Sequence, residues 1–173
     1  MGALVVQRFL ERGNAAGIVM MAPVPSTGLT ASTIQLSARL PDFLVEAARA
    51  VRGQYSARTI EVMRKAYFPP EDTHEDFAAF KTLIQDESTT AIAEMMALAW
   101  RPPRRTRPRI PALVIGGELD AIFPSSLLHF TAAGWNAETC VIPRAGHMMM
   151  MGPQWRPAAD RIADWLATRF ASR

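Results

Sequence analysis

The 173-residue sequence predicts an α/β fold on parallel strands, with a wholly helical block inserted after the first strand. Three observations carry this. Three short apolar runs, at 16–22, 111–117 and 137–142, have the continuous hydrophobicity of strands covered on both faces, as in parallel sheets. From Pro111 onward the pattern alternates strand, helix, strand, helix, which implies parallel neighbours joined by right-handed crossovers. Between Leu29 and Trp100 no strand pattern occurs, and apolar residues recur at helical spacing instead.

In chain order, Leu4, Val5, Phe9 and Leu10 make one face of an opening helix, and Gly13 offers its stop. The first strand follows and is closed by Pro23. The helical block carries four stripes. Phe43, Leu44, Ala47 and Val51 follow Pro41, and Ile60, Met63 and Tyr67 form the second. Phe77, Phe80, Leu83 and Ile84 form the third, and Ser88 caps a fourth with Ile92, Met95, Met96 and Ala99. Residues 101–109 hold three prolines and five arginines, a composition that excludes regular structure. A polyanion would find a partner there, but a solvated connector is the simpler reading. Pro124 precedes a helix bearing Leu127, Leu128 and Phe130. The last helix starts near Pro157 and presents Ile162, Trp165, Leu166 and Phe170. The division expected is 1–28 as core helix and strand, 29–105 as helical insertion and 106–173 as C-terminal core.

A hydrophobic share of 49 % against 20 % charged is ordinary globular composition and excludes disorder. The net charge of +3 is too small to indicate a nucleic-acid partner. A single cysteine, Cys140, forms no internal disulfide and suits a reducing compartment. The N-terminal residues lack a signal peptide's basic start, apolar stretch and cleavage site, and no apolar run approaches the ~20 residues of a membrane span. A cytoplasmic protein is expected. No His/Cys/Asp grouping has metal-ligand spacing, so neither metal nor cofactor is expected.

The second strand runs into Gly117-Glu118-Leu119-Asp120 and the third into Ala145-Gly146-His147. Functional groups of open parallel sheets gather past the carboxyl ends of the strands. One strand–helix–strand unit separates Asp120 from His147, so their loops should meet. A carboxylate beside an imidazole is the base half of a nucleophilic triad. Asp120 would serve equally as a turn or helix-cap residue, and His147 as a packing histidine. Glu118 is a poor rival acid, falling on the opposite face if the strand continues. His74 and His129 read as structural. The run Met148 to Met151 either lines an acyl pocket or fills core gaps, and the sequence does not choose.

Gly117-x-x-Asp120-x-x-x-Pro124 after one strand and Ala145-Gly146-His147 after the next resemble the acid and histidine loops of the α/β-hydrolase superfamily. Met1-Gly2-Ala3-Leu4-Val5 is similar to the residues that follow the nucleophile in that family. Ala22-Pro23-Val24-Pro25 resembles the end of its sixth strand, and the helical insertion resembles its cap. The resemblance covers the chain and implies the C-terminal part of an α/β-hydrolase fold, strands six to eight with a cap. It implies a serine-type hydrolase, with Asp120 and His147 catalytic and an apolar acyl or alkyl small-molecule substrate. An ester is the foremost bond, though amides, lactones, halides, epoxides and cofactor-free haloperoxidation share the fold.

No G-x-S-x-G occurs, and Ser26, Ser37, Ser125 and Ser126 are not at a strand-to-helix elbow. The expected nucleophile therefore precedes Met1. The backbone oxyanion donor that follows it maps onto Met1, where a chain-terminal amine alters it. Met148, Phe77 and Met96 are the candidate substrate-binding residues. The chain alone is expected to be inactive, with an exposed edge on its first strand that favours self-association. A second reading is a non-catalytic fragment that binds a partner or ligand through its cap and that edge.

Overall fold

Three strands, β1 (Ile18–Met21), β2 (Ala112–Gly117) and β3 (Glu138–Ile142), form a parallel sheet in the order β1-β2-β3. Ile18 pairs with Ala112 and Met21 with Ile115, while Leu113 pairs with Glu138 and Gly117 with Ile142. The computed structural model describes residues 1–25, 27–72, 74–83, 88–97 and 109–170. Every residue of the central strand β2 is buried, the reason its sequence is an unbroken apolar run.

Helix α1 (Gly2–Phe9) precedes β1 and ends at Leu10, short of Gly13. Among the described residues five helices separate β1 from β2: α2 (Thr30–Arg39), α3 (Phe43–Val51), α4 (Ala57–Tyr67), α5 (His74–Leu83) and α6 (Thr89–Ala97). Among the described residues no strand interrupts them. Four helices were expected, and α2 is the addition. It carries no apolar stripe: Leu36 is buried but Ile34 is exposed, and the other inward residue is Ser32, whose hydroxyl donates to the Leu29 carbonyl. The arginine-rich segment expected to be a connector falls outside the described residues, except for Arg109, which is exposed.

Helix α4 starts on a capping box between Ser56 and Thr59. The Thr59 hydroxyl also donates to buried Glu46 of α3 at 2.5 Å, and Arg49 neutralises that carboxylate at 2.7 Å. A buried charge is thereby paired, which fastens α3 to α4. Helix α7 (Ser125–Trp135) crosses from β2 to β3, and α8 (Trp155–Phe170) closes the chain.

Both faces of the sheet are packed. Ile18, Met20, Ala112 and Val114 meet Leu10 and the α7 residues Leu128, Ala132 and Trp135. Ile115 and Ile142 meet Ala145, Met149 and Ala158 of α8. A third cluster joins the insertion to the strand ends, where Met95 of α6 lies with Val24 and Phe123. Among the described residues no helix is long and apolar enough to cross a membrane.

Candidate active site

Asp120 and His147 sit in the loops leaving the adjacent parallel strands β2 and β3. The register that sets Gly117 opposite Ile142 brings these loops together. Three bonds continue the pairing beyond the strands. Glu118 N–H donates to the Ile142 carbonyl at 3.0 Å and Leu119 N–H to the Ala145 carbonyl at 2.8 Å. The Glu118 carboxylate accepts the Arg144 N–H at 2.9 Å. Arg144 needs such an anchor, because its φ of 59° is a left-handed conformation that costs a non-glycine residue energy.

On this frame His147 Nδ1 lies 3.0 Å from Asp120 Oδ2. The other carboxylate oxygen, Oδ1, accepts the backbone N–H groups of Ile122 and Phe123, both at 2.8 Å. Asp120 thus both meets the imidazole and closes its own turn. Its side chain is 0 % exposed and that of His147 is 17 % exposed, so the carboxylate is shielded while the imidazole keeps access to solvent. A carboxylate oxygen can only accept, so a hydrogen bond at this contact places the donor proton on Nδ1. Nε2 is then the ring nitrogen left to accept.

Two rings frame the imidazole: Phe123 at 5.3 Å and Tyr67, the last residue of α4, at 5.5 Å and edge-on. Leu4 of α1 packs in the same cluster as Phe123, so the first turn of α1 is on this side of the sheet. Met1 caps α1, and its carbonyl accepts from the N–H groups of Leu4 and Val5.

The three expected substrate-binding residues are spread out. Phe77 is buried in a ring cluster with Phe68 and Phe80 inside the insertion; Tyr67, not Phe77, carries that cluster to His147. Met96 ties α6 to α2: its sulfur accepts from the Thr33 hydroxyl at 3.7 Å and its carbonyl from Thr30. Met148 adjoins His147 and donates its N–H to the Tyr67 carbonyl at 3.1 Å. In the methionine run Met149 is fully buried in the core and Met150 is exposed. Sequence reasoning missed Tyr67 and Phe123 as neighbours of His147: Tyr67 read only as part of a helical stripe, and Phe123 as one residue of the loop after the second strand. No group of side chains suited to a metal occurs among the described residues.

The alpha/beta hydrolase family model matches residues 1–165. The chain belongs to the alpha/beta hydrolase family. Solved structures with the same fold include a thermophilic esterase from Thermogutta terrifontis, at 20 % identity and a TM-score of 0.66, over 97 % of this chain and 62 % of that one. A proline iminopeptidase-related protein from Thermus thermophilus matches at 23 % identity and a TM-score of 0.63, over 96 % and 61 %. Rv0554 from Mycobacterium tuberculosis matches at 21 % identity and a TM-score of 0.63, over 98 % and 62 %. This hydrolase-family chain therefore spans a little over three fifths of the length of the structures it resembles. No curated protein matches it in sequence.

Proposed function

We propose that this chain carries the acid and base of a serine-type hydrolase that transfers an acyl group from an ester to water. The observation that carries the reading is the 3.0 Å contact between His147 and a buried, fully hydrogen-bonded Asp120 at the ends of neighbouring parallel strands. His147 Nε2 takes the proton of the attacking hydroxyl and later returns it to the leaving alkoxide; Asp120 holds the ring and stabilises the imidazolium.

The nucleophile comes from sequence outside these 173 residues. Of the described serines, Ser32, Ser56 and Ser88 bond to helix-end backbone, Ser37 lies within α2 with its hydroxyl buried and without a hydrogen-bond partner among the described residues, and Ser125 and Ser126 lie exposed on the first turn of α7. The first turn of α1, beginning at Met1, borders the site and would carry one oxyanion donor. The helices described between β1 and β2 form the cap, and the rings beside His147 favour an apolar acyl or alkyl group. A reducing, cytoplasmic setting suits the lone Cys140.

The test compares the complete gene product with this chain on short p-nitrophenyl esters, each beside its His147→Ala variant. Expected are turnover by the complete product that His147→Ala abolishes, and no turnover by this chain above its own variant, because a triad without its nucleophile retains little. Fluorophosphonate labelling of a serine within this chain overturns the placement of the nucleophile. A complete product that binds acyl compounds but hydrolyses none makes the domain a binding module.

A further inference from the structure

One hydrogen bond fixes an atom of an imidazole but leaves its plane free to turn. Two rings from different parts of the chain flank the plane of His147. Phe123 comes from the Asp120 loop. Tyr67 comes from the insertion, with its ring at 69° to the imidazole. The same segment of the insertion grips the backbone on both sides of His147. Ahead of it, Gly146 approaches so closely that a Cβ would lie 2.6 Å from Pro69 Cδ and 2.9 Å from the Tyr67 carbonyl oxygen. Behind it, the Met148 N–H donates to that carbonyl. Glu71 adds an ion pair to Arg144. Tyr67 in turn is held by Phe80, at 5.6 Å, and through it by the insertion's own ring cluster.

We propose that Tyr67 is a positioning residue for His147: its ring is the insertion's hold on the imidazole plane, so the seating of the helical insertion is transmitted to the proposed base. The inference rests on reading His147 as that base. A cap that is out of place would turn the imidazole away from Asp120, coupling closure over substrate to competence of the base.

The test uses the 173-residue chain labelled with nitrogen-15 at histidine. NMR reports the tautomer of His147 and the exchange protection of its Nδ1 proton. Expected are a protected Nδ1–H in the parent chain and in Tyr67→Phe, which keeps the ring. In Tyr67→Leu the proton should exchange about tenfold faster, the scale of losing one aromatic edge contact, with part of the population in the Nε2–H tautomer. The control is Phe80→Leu, which weakens the ring cluster one contact further from His147 and should cost clearly less protection than Tyr67→Leu. Parent-like protection in Tyr67→Leu overturns the proposal, as does equal loss in Phe80→Leu. Should Tyr67→Leu lose its cooperative melt, Tyr67→Met decides by the same two signals. Because the signal is a proton on Nδ1 and not turnover, a protected proton in a complete product that hydrolyses nothing would refute the proposed reaction and leave the positioning role in place.

Discussion

Gly117, the last residue of β2, lies so close to Ala145 that a Cβ on it would sit 2.2 Å from the Ala145 carbonyl oxygen. That oxygen already accepts from Leu119 N–H, and the next carbonyl, of Gly146, would lie 2.4 Å from the same Cβ. Both neighbours are backbone and cannot swing aside. Gly117→Ala should therefore displace the His147 loop from β2, at a cost of about 1–3 kcal/mol by the usual penalty for overpacking. For a domain of this size that lowers Tm by roughly 2–4 °C per kcal/mol. Differential scanning calorimetry measures the melt, and NMR of His147 measures whether Nδ1–H keeps its protection. A variant that melts like the parent with the proton still protected would show that the loops do not depend on this approach.

Asp120→Asn separates the carboxylate's two tasks. Two backbone N–H groups on Oδ1 would retain the amide oxygen there, which turns the amide NH₂ toward His147. An NH₂ group donates, so Nδ1 must become the acceptor and the proton moves to Nε2, the wrong tautomer for a base. In the complete gene product kcat should fall about 10⁴-fold, as when a triad aspartate is replaced in this way. The fold should persist, because the turn keeps its acceptor. Full activity in this variant would exclude Asp120 from the reaction.

The residues that were legible and those that were not differ in what makes them distinctive. The three strands show in the sequence because a strand covered on both faces must be apolar throughout. Asp120 and His147 stand out because a charged or titratable residue directly after such a strand breaks its pattern. Tyr67 does not stand out, since its role depends on which loop the end of α4 meets, a contact 80 positions away in sequence that helical periodicity cannot encode. Gln7 was invisible for a related reason. It lies on the otherwise apolar side of α1, where it donates to the Val24 carbonyl at 3.0 Å and accepts from Trp135 at 3.1 Å. Only the fold reveals those partners. Helix α2 was missed because most of its surface faces water.

Glu138 opens β3 and holds α8 against the sheet, accepting from Arg169 Nε at 2.9 Å and from Trp165 Nε1 at 2.8 Å. The hydrogen bond from Arg169 is the main reason its carboxyl titrates below the usual range; burial opposes it, and the hydrogen bond from Trp165 and the charges of Arg169 and Arg161 add to the lowering. A carboxyl whose pKa is lower folded than unfolded stabilises the fold above the unfolded value. That contribution is lost as pH falls through the folded value. Glu138→Gln keeps an acceptor for Trp165 and removes the charge. The parent should therefore melt higher than the variant at neutral pH, by the few degrees that a partly exposed ion pair of at most about 1 kcal/mol allows. The gap should close as the medium is acidified through the carboxylate range. A gap that widens toward acid would contradict this account.

The last prediction concerns β1. Among the described residues β1 pairs only with β2. Ile18 N–H donates to the Pro111 carbonyl and Ala22 N–H to that of Ile115, so with strand alternation the N–H groups of Val19 and Met21 point to the other side. An apolar groove of about 320 Å³ lies between residues 16–19 and Trp165, Leu166 and Phe170 of α8. Val5 and Phe9 of α1 are exposed as well. A strand edge with outward donors and apolar surroundings is a template for pairing. The 173-residue chain should thus self-associate through β1, with a mass that rises with concentration in size-exclusion chromatography with light scattering. Val19→Pro is the specific probe: it deletes an outward donor and takes no bond from the β1–β2 ladder, so the variant should be monomeric and still fold. Lys substitution at Val5 and Phe9 tests the rival route through α1. A chain that stays monomeric at every concentration, or an association that Val19→Pro leaves unchanged while the α1 substitutions abolish it, would move the interface away from the strand edge.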